Sequence, residues 1–200
     1  MSQDRIPMFW YKPTTYKNFG DDLGPYLVSM LSGKKVKYVP LNGRNSVVLR
    51  FFISSVYLFV RGKLSFADAI KSFRSWYVKG CLLTVGSILQ FNFNKYSIIW
   101  GSGIIKENTK VNDGIFLAVR GVYTRQRLLS LGYEVPEIYG DPALLLPIVF
   151  SPKSKKEYKV GIIPHVLHLE YVREIITNPD IRIISLNTNN ISSVIEEISS

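Results

Sequence analysis

Short apolar runs alternate with segments of helical spacing along most of the chain. Apolar runs that end in glycine or a polar turn are typical of buried parallel strands, whereas apolar residues three and four apart predict helices. The pattern predicts strands at residues 8–11, 36–39, 82–85, 98–100, 115–119, 160–163 and 181–186. It predicts helices at residues 22–31, 46–60, 66–79, 124–131, 170–176 and 191–198, with Asp22 as the first N-cap and Gly33 at the matching C′ position.

Strands that alternate with helices indicate an α/β fold with a Rossmann-like parallel sheet. Apolar content drops over residues 150–158, where the polar stretch S-P-K-S-K-K-E stands. The sequence therefore predicts an N-terminal α/β domain over residues 1–150. Residues 151–200 are interpreted as the start of a second, incomplete α/β domain.

Composition limits the class of protein. The 200 residues are 46% hydrophobic and 20% charged, which favours a folded core over disorder. The single cysteine, Cys81, excludes an intramolecular disulfide and suits a reducing compartment. The start of the chain lacks the pattern of a signal peptide, and the longest apolar run, residues 47–60, is short and contains Arg50. These observations predict a cytoplasmic protein that does not cross a membrane.

The net charge of +10 is concentrated in one segment. Residues 43–80 hold seven basic residues against one acidic residue, interleaved with aromatic side chains. A basic and aromatic helix of this kind is typical of peripheral contact with an anionic membrane, here the inner face of the cell membrane. A buried helix pair is the alternative. Because the rest of the chain is nearly balanced, nucleic acid is not expected as a partner.

Small and polar residues follow the predicted strands. Since the carboxyl ends of parallel strands meet at one edge of a sheet, these turns predict a ligand cleft there. The alternative is that strand-to-helix turns need glycine for conformational reasons alone. The turns are N-F-G-D (18–21), G-S (86–87), G-S-G (101–103), R-G (120–121), G-D-P (140–142) and P-H (164–165).

The residues of these turns, and their order along the chain, resemble those of the polysaccharide pyruvyl transferase family. The resemblance extends from residue 9 to about residue 186. It is carried by N-F-G-D-D-L-G-P-Y-L (18–27), V-G-S-I-L-Q (85–90), W-G-S-G-I (100–104), A-V-R-G-V-Y-T-R (118–125), Y-G-D-P-A-L-L-L-P (139–147) and K-V-G-I-I-P-H (159–165).

The resemblance implies transfer of pyruvate from phosphoenolpyruvate to two hydroxyls of a sugar, as a cyclic ketal. The acceptor would be a capsular, exopolysaccharide or cell-wall glycan, often lipid-linked. The implied fold is similar to two-domain B-type glycosyltransferases, with the acceptor on the N-terminal domain and phosphoenolpyruvate in the cleft. No metal or organic cofactor is implied.

Phosphoenolpyruvate presents a carboxylate and a phosphate, which arginine forks bind well. Arg120 and Arg125 are the expected anion ligands, with a structural ion pair and a solvated helix face as alternatives. Asp21 and His165 are the expected catalytic residues, because carboxylates and imidazoles transfer protons. Asp21 could equally be a turn acid. The other expected substrate contacts are Asn18, Gly20, Ser102, Gly103 and Asp141, of which Asp141 could instead hold its turn.

One family feature is missing. A serine-leucine-histidine-glycine type motif is expected later in the second domain, and the given sequence stops before it. We therefore expect a truncated chain, or one completed by another chain.

Two further function classes remain open, namely an inactive glycan- or partner-binding member and a sugar-nucleotide glycosyltransferase. A dinucleotide enzyme is not supported, since Lys106 occupies the last glycine position of a G-x-G-x-x-G pattern. No G-x-S-x-G elbow of a serine hydrolase is present either.

Overall fold

A computed structural model describes residues 5–41, 57, 60–62, 65, 80–188 and 190–200. The helices predicted over residues 46–60 and 66–79 lie almost wholly outside these ranges. The prediction of a membrane-binding segment over residues 43–80 lies outside them for the same reason.

A five-stranded parallel sheet forms the centre of the N-terminal part of the chain. Its strands are β1 (Ile6–Phe9), β2 (Val36–Tyr38), β3 (Leu82–Leu83), β4 (Ile98–Trp100) and β5 (Ile115–Ala118). They lie in the order β2-β1-β3-β4-β5. All four pairings are parallel. The prediction of an α/β protein with a Rossmann-like parallel sheet is confirmed at this level.

The pairing of β4 with β5 contains a register shift. Ile99 pairs with Phe116 but Trp100 pairs with Ala118, so Leu117 is an extra residue on β5. Bulges of this kind change the direction of the side chains that follow. After the shift, Val119 is fully buried and Arg120 is half-buried at the end of the strand.

Five α-helices lie within the described residues. They are α1 (Phe19–Ser32), α2 (Val122–Ser130), α3 (Leu146–Val149), α4 (Leu169–Ile175) and α5 (Ile191–Ser199). Short 3-10 helices, Pro142–Leu145 and Val166–His168, precede α3 and α4. None of the helices in this part of the chain is long and apolar enough to cross a membrane.

The ends of α1 show one correct and one wrong prediction. Gly33 closes the helix with φ of 65°, a left-handed conformation that favours glycine, as predicted. The helix begins at Phe19 and not after Asp22, because the side chain of Asn18 accepts a hydrogen bond from the Gly20 amide and serves as the N-cap.

Two compact units make up the chain. The first comprises residues 1–9 and 35–141, and its core is a continuous cluster of side chains around the sheet. Phe9, Leu83, Ile99 and Phe116 supply this core from four neighbouring strands, and Leu128 adds the buried face of α2. Buried Cys81 belongs to the same cluster.

The second unit comprises residues 10–34 and 142–200. Its small parallel sheet pairs β6 (Val160–Ile162) with β7 (Ile181–Ile183). Helix α1 packs against α5 and against the helical segment over residues 142–149, burying Leu23, Leu27 and Val28. This division differs from the predicted domains 1–150 and 151–200, because the apolar face of α1 packs on the later part of the chain.

Candidate functional site

The turns after β3, β4 and β5 are joined to one another by backbone hydrogen bonds. The Gly103 amide donates to the Gly86 carbonyl at 3.0 Å, and the Arg120 amide donates to the Ser102 carbonyl at 3.1 Å. The Gly101 amide donates to the Ala118 carbonyl at 2.9 Å. The structure therefore brings together three of the residues expected to bind substrate, namely Ser102, Gly103 and Arg120.

Two of these turns depend on glycine. Gly86 and Gly101 have φ values of 101° and 82°, which a residue with a side chain rarely adopts. This requirement explains part of the glycine pattern without a ligand, as the alternative interpretation expected.

Ser102 lies inside the protein. It is 0% exposed, and its hydroxyl donates to the main-chain carbonyl of Thr84 at the end of β3. Its hydrogen bond joins the carboxyl ends of β3 and β4. The neighbouring Thr84 hydroxyl is equally buried and has no hydrogen-bond partner among the described residues.

Arg120 is held in place by its side chain. Nη2 donates to the Ser87 hydroxyl and, at 3.4 Å, to the Ile104 carbonyl. The guanidinium lies against Gly103, since a Cβ at that position would be 2.8 Å from Nε and Nη2. The guanidinium therefore packs directly against the Gly103 backbone, in space that a side chain at this position would occupy.

A cavity of about 380 Å³ opens beside Arg120. The N-terminus of α2 forms one wall, and the loop after β4 forms the other. Gly121 is the N-cap of α2 and offers no side chain to the first amides of the helix. Arg120, Lys106 and this helix end supply positive potential against the single carboxylate of Glu107. The lining residues are Ile104, Ile105, Lys106, Glu107, Arg120, Gly121, Tyr123 and Thr124.

Arg125 does not line this cavity. Its Nε donates to the Val135 carbonyl at 3.2 Å, so the side chain links α2 to the segment that follows it. Arg127, on the same helix, donates from Nε to the Thr109 carbonyl at 2.9 Å. Both arginines have main-chain partners in the structure, and Arg120 is the arginine of this group that lines the cavity.

A second cavity, of about 280 Å³, lies in the other unit. It is formed by the loop between β1 and α1 and by the first turn of α1. Asp21 lines it and is half-buried; its burial, and then the neighbouring charge of Asp22, raise the pKa of Asp21 to about 6. The lining residues are Tyr11, Lys12, Pro13, Tyr16, Lys17, Asn18, Asp21 and Asp22.

Asn18 lines this second cavity and Gly20 does not, and both residues have structural roles at the start of α1. The Asn18 side chain accepts the Gly20 amide at 2.9 Å, which starts the helix. A Cβ on Gly20 would approach that same side-chain oxygen at 3.4 Å. Their expected contacts with substrate stay predictions.

His165 and Asp141 line neither cavity. His165 is exposed, and its Nδ1 accepts the Leu167 amide at 3.3 Å as the cap of a 3-10 helix. Asp141 is half-buried and immediately precedes the 3-10 helix that begins at Pro142. Within the described residues, no group of three or more His, Cys, Asp or Glu side chains could hold a metal ion.

Sequence reasoning missed several cavity residues. Lys106, Lys12 and Lys17 are exposed lysines on loops, and a lysine on a loop carries no local signal of a ligand. Tyr11 and Tyr16 both precede the N-F-G-D turn at residues 18–21. They could have been found by asking which side chains a loop before a helix brings together.

The comparisons with known proteins leave the family open. No protein-family model, curated protein or solved structure matches this chain. The fold defines an α/β protein, and one of its cavities combines Arg120 and Lys106 with the N-terminus of α2. The activity is a matter for proposal.

Proposed function

We propose that this chain is a phosphoenolpyruvate-dependent ketal pyruvyl transferase that acts on a glycan, with a fold similar to two-domain B-type glycosyltransferases. The observation that carries the proposal is the cavity in which Arg120, Lys106 and the uncapped N-terminus of α2 converge. The ordered motifs that resemble the pyruvyl transferase family support it from the sequence.

The donor site needs ligands for two anionic groups. The Arg120 fork suits a carboxylate or a phosphate oxygen pair, because its donors are planar and fixed in direction. Lys106 adds a point charge, and the free amides of α2 suit a phosphate. The Ser87 hydroxyl and the Ile104 carbonyl hold Arg120 in position, so little entropy is lost when the anion binds.

The proposed reaction balances without a cofactor. One acceptor hydroxyl adds to C2 of phosphoenolpyruvate while C3 gains a proton and becomes a methyl group. The second hydroxyl then replaces the phosphate at C2, and phosphate leaves with the remaining proton. Asp21 is the proposed base for an acceptor hydroxyl, since a carboxyl with a pKa near 6 accepts a proton effectively close to neutral pH.

The first experiment measures phosphoenolpyruvate binding by calorimetry with Arg120→Ala and with Arg173→Ala as a matched control. Arg173 is exposed and pairs with Glu170 away from both cavities. Loss of a charge-assisted pair weakens binding by about 1.5–3 kcal/mol, roughly 10- to 100-fold. We expect that loss in Arg120→Ala and native affinity in the control.

Phosphate release from phosphoenolpyruvate in the presence of a galactoside or N-acetylmannosaminide then tests the activity. Equal affinity of the two arginine variants would contradict the proposed donor site. Tighter binding of a nucleotide-sugar than of phosphoenolpyruvate would favour a glycosyltransferase instead.

A further inference from the structure

The cavity beside Asp21 is lined by charged side chains of both signs, namely Lys12, Lys17, Asp21 and Asp22. The Lys17 ammonium makes no ion pair with any described residue. The raised pKa of Asp21 arises from burial and from Asp22, and a nearby ammonium would have lowered it. A carboxylate that accepts hydrogen bonds and a separate cation are therefore both available to one ligand.

The size and lining of the cavity limit what this ligand is. Its volume of about 280 Å³ is at the small end of ligand pockets, which usually hold about 300–1,000 Å³. That volume suits a single sugar ring better than an extended chain. Tyr11 and Tyr16 add aromatic faces with hydroxyl ends, which suit a ligand with both apolar C–H and polar O–H groups.

The wall of the cavity is fixed before a ligand arrives. The Lys17 amide donates to Oδ1 of Asn187 at 2.9 Å, and the Phe19 amide donates to the Leu186 carbonyl at 3.0 Å. The segment after β7 thus holds the loop that carries Lys17. A site held in this way loses less ordering entropy on binding than a free loop would.

We propose that this cavity binds a sugar ring that carries an anionic group, with Lys17 contacting the anion and Asp21 accepting the ring hydroxyls. The inference rests on the proposed function and deepens it, because it makes the acceptor an acidic saccharide. A neutral sugar would leave the Lys17 ammonium without an anionic partner, and a cationic sugar would be repelled by it.

The experiment measures binding of galactose, galacturonate and galactose 1-phosphate to the full chain by ligand-observed NMR and calorimetry, without phosphoenolpyruvate. The variants are Lys17→Met, Asp21→Asn and, as a matched control, Lys156→Met, which removes an exposed lysine that lines neither cavity. Lys17→Met keeps the backbone amide that Asn187 binds, so the loop stays held.

We expect at least one acidic sugar to bind tighter than galactose. Lys17→Met should lower its affinity roughly tenfold and leave galactose unchanged, whereas Asp21→Asn should weaken both. Preference for galacturonate identifies a carboxylate as the anion, and preference for galactose 1-phosphate identifies a phosphate.

Equal affinity for galactose and both acidic sugars would overturn the proposal, as would the same affinities in Lys17→Met and Lys156→Met. Acidic-sugar binding without phosphoenolpyruvate binding would refute the proposed function alone. Phosphoenolpyruvate turnover with neutral sugars only would refute this inference alone.

Discussion

At the scale of single residues, Gly103 matters because it has no side chain where the Arg120 guanidinium lies. A methyl group there would be 2.8–2.9 Å from three guanidinium atoms. The guanidinium is the end of a flexible side chain and can move away at small cost. The fold therefore tolerates a methyl group at position 103, but Arg120 loses its present position.

We therefore expect Gly103→Ala to retain its folding cooperativity and to bind phosphoenolpyruvate roughly tenfold more weakly than the unmodified protein. Calorimetry and thermal unfolding measure the two effects separately. Gly161→Ala is the control, because its added Cβ meets only the Cδ1 of Ile184 at 3.3 Å. Unchanged affinity in Gly103→Ala would mean that the position of Arg120 is not important for binding.

The raised pKa of Asp21 predicts a pH-dependent contribution to stability, and its direction sets the sign. Its folded pKa is raised from 3.8 to about 6, so the folded state binds more protons than the unfolded state between these values. This contribution to stability is present below about pH 4 and is lost as pH rises through 6. Because the residue is half-exposed, we expect the loss to be about 1 kcal/mol after screening.

Asp21→Asn removes this titration. The free energy of unfolding of the variant is compared with that of the unmodified protein at pH 4 and at pH 7. We expect this difference to be about 1 kcal/mol more favourable to the variant at pH 7 than at pH 4. Urea denaturation at both pH values measures the effect. Asp22→Asn removes only the smaller cause of the shift, so its gain should be smaller. The same difference at both pH values would show that Asp21 is not buried as described.

At the scale of elements, the loop between β1 and α1 depends on a residue 170 positions away in sequence. The Asn187 side chain accepts the Lys17 amide, and the Asn187 amide in turn donates to the Ser185 hydroxyl at 3.2 Å. The loop, the start of α1 and the segment after β7 therefore form one hydrogen-bonded group within the second unit.

The hydrogen bond from the Lys17 amide to Asn187 predicts how substitution of Asn187 changes the protection of this amide. Asn187→Ala should raise hydrogen exchange at the Lys17 amide roughly fivefold, because a net hydrogen bond of about 1 kcal/mol is lost. Asn187→Asp keeps an acceptor oxygen and should retain protection. If both variants exchange like the unmodified protein, the Asn187 contact does not hold the loop in solution.

At the scale of the whole molecule, local patterns predicted the elements well and the cavities poorly. The apolar runs located the seven strands of the described residues to within a few positions, since a buried parallel strand needs a continuous apolar stretch. The sequence pattern favours Asp22 over Asn18 as the N-cap of α1. Both side chains can cap a helix, and Asp22 lies closer to the predicted run of apolar residues.

The site required long-range information that no local pattern contains. Arg120 and Gly103 were both singled out from their turns, but the contact between them depends on the pairing of β4 with β5. Arg125 is an arginine near the N-terminus of α2, where an anion ligand is expected. Only the structure shows that its side chain donates a hydrogen bond to the Val135 carbonyl. The position of α1 in the second unit likewise depends on packing between distant segments.

The extra residue in β5 makes this strand intolerant of changes in length. Removing Leu117 would let Ala118 follow Phe116 directly while it still pairs with Trp100, so the change in side-chain direction that leaves Val119 buried and Arg120 at the cavity would be lost. We infer that chains sharing this cavity keep the interval from Phe116 to Arg120 constant, even where every residue within it has been replaced.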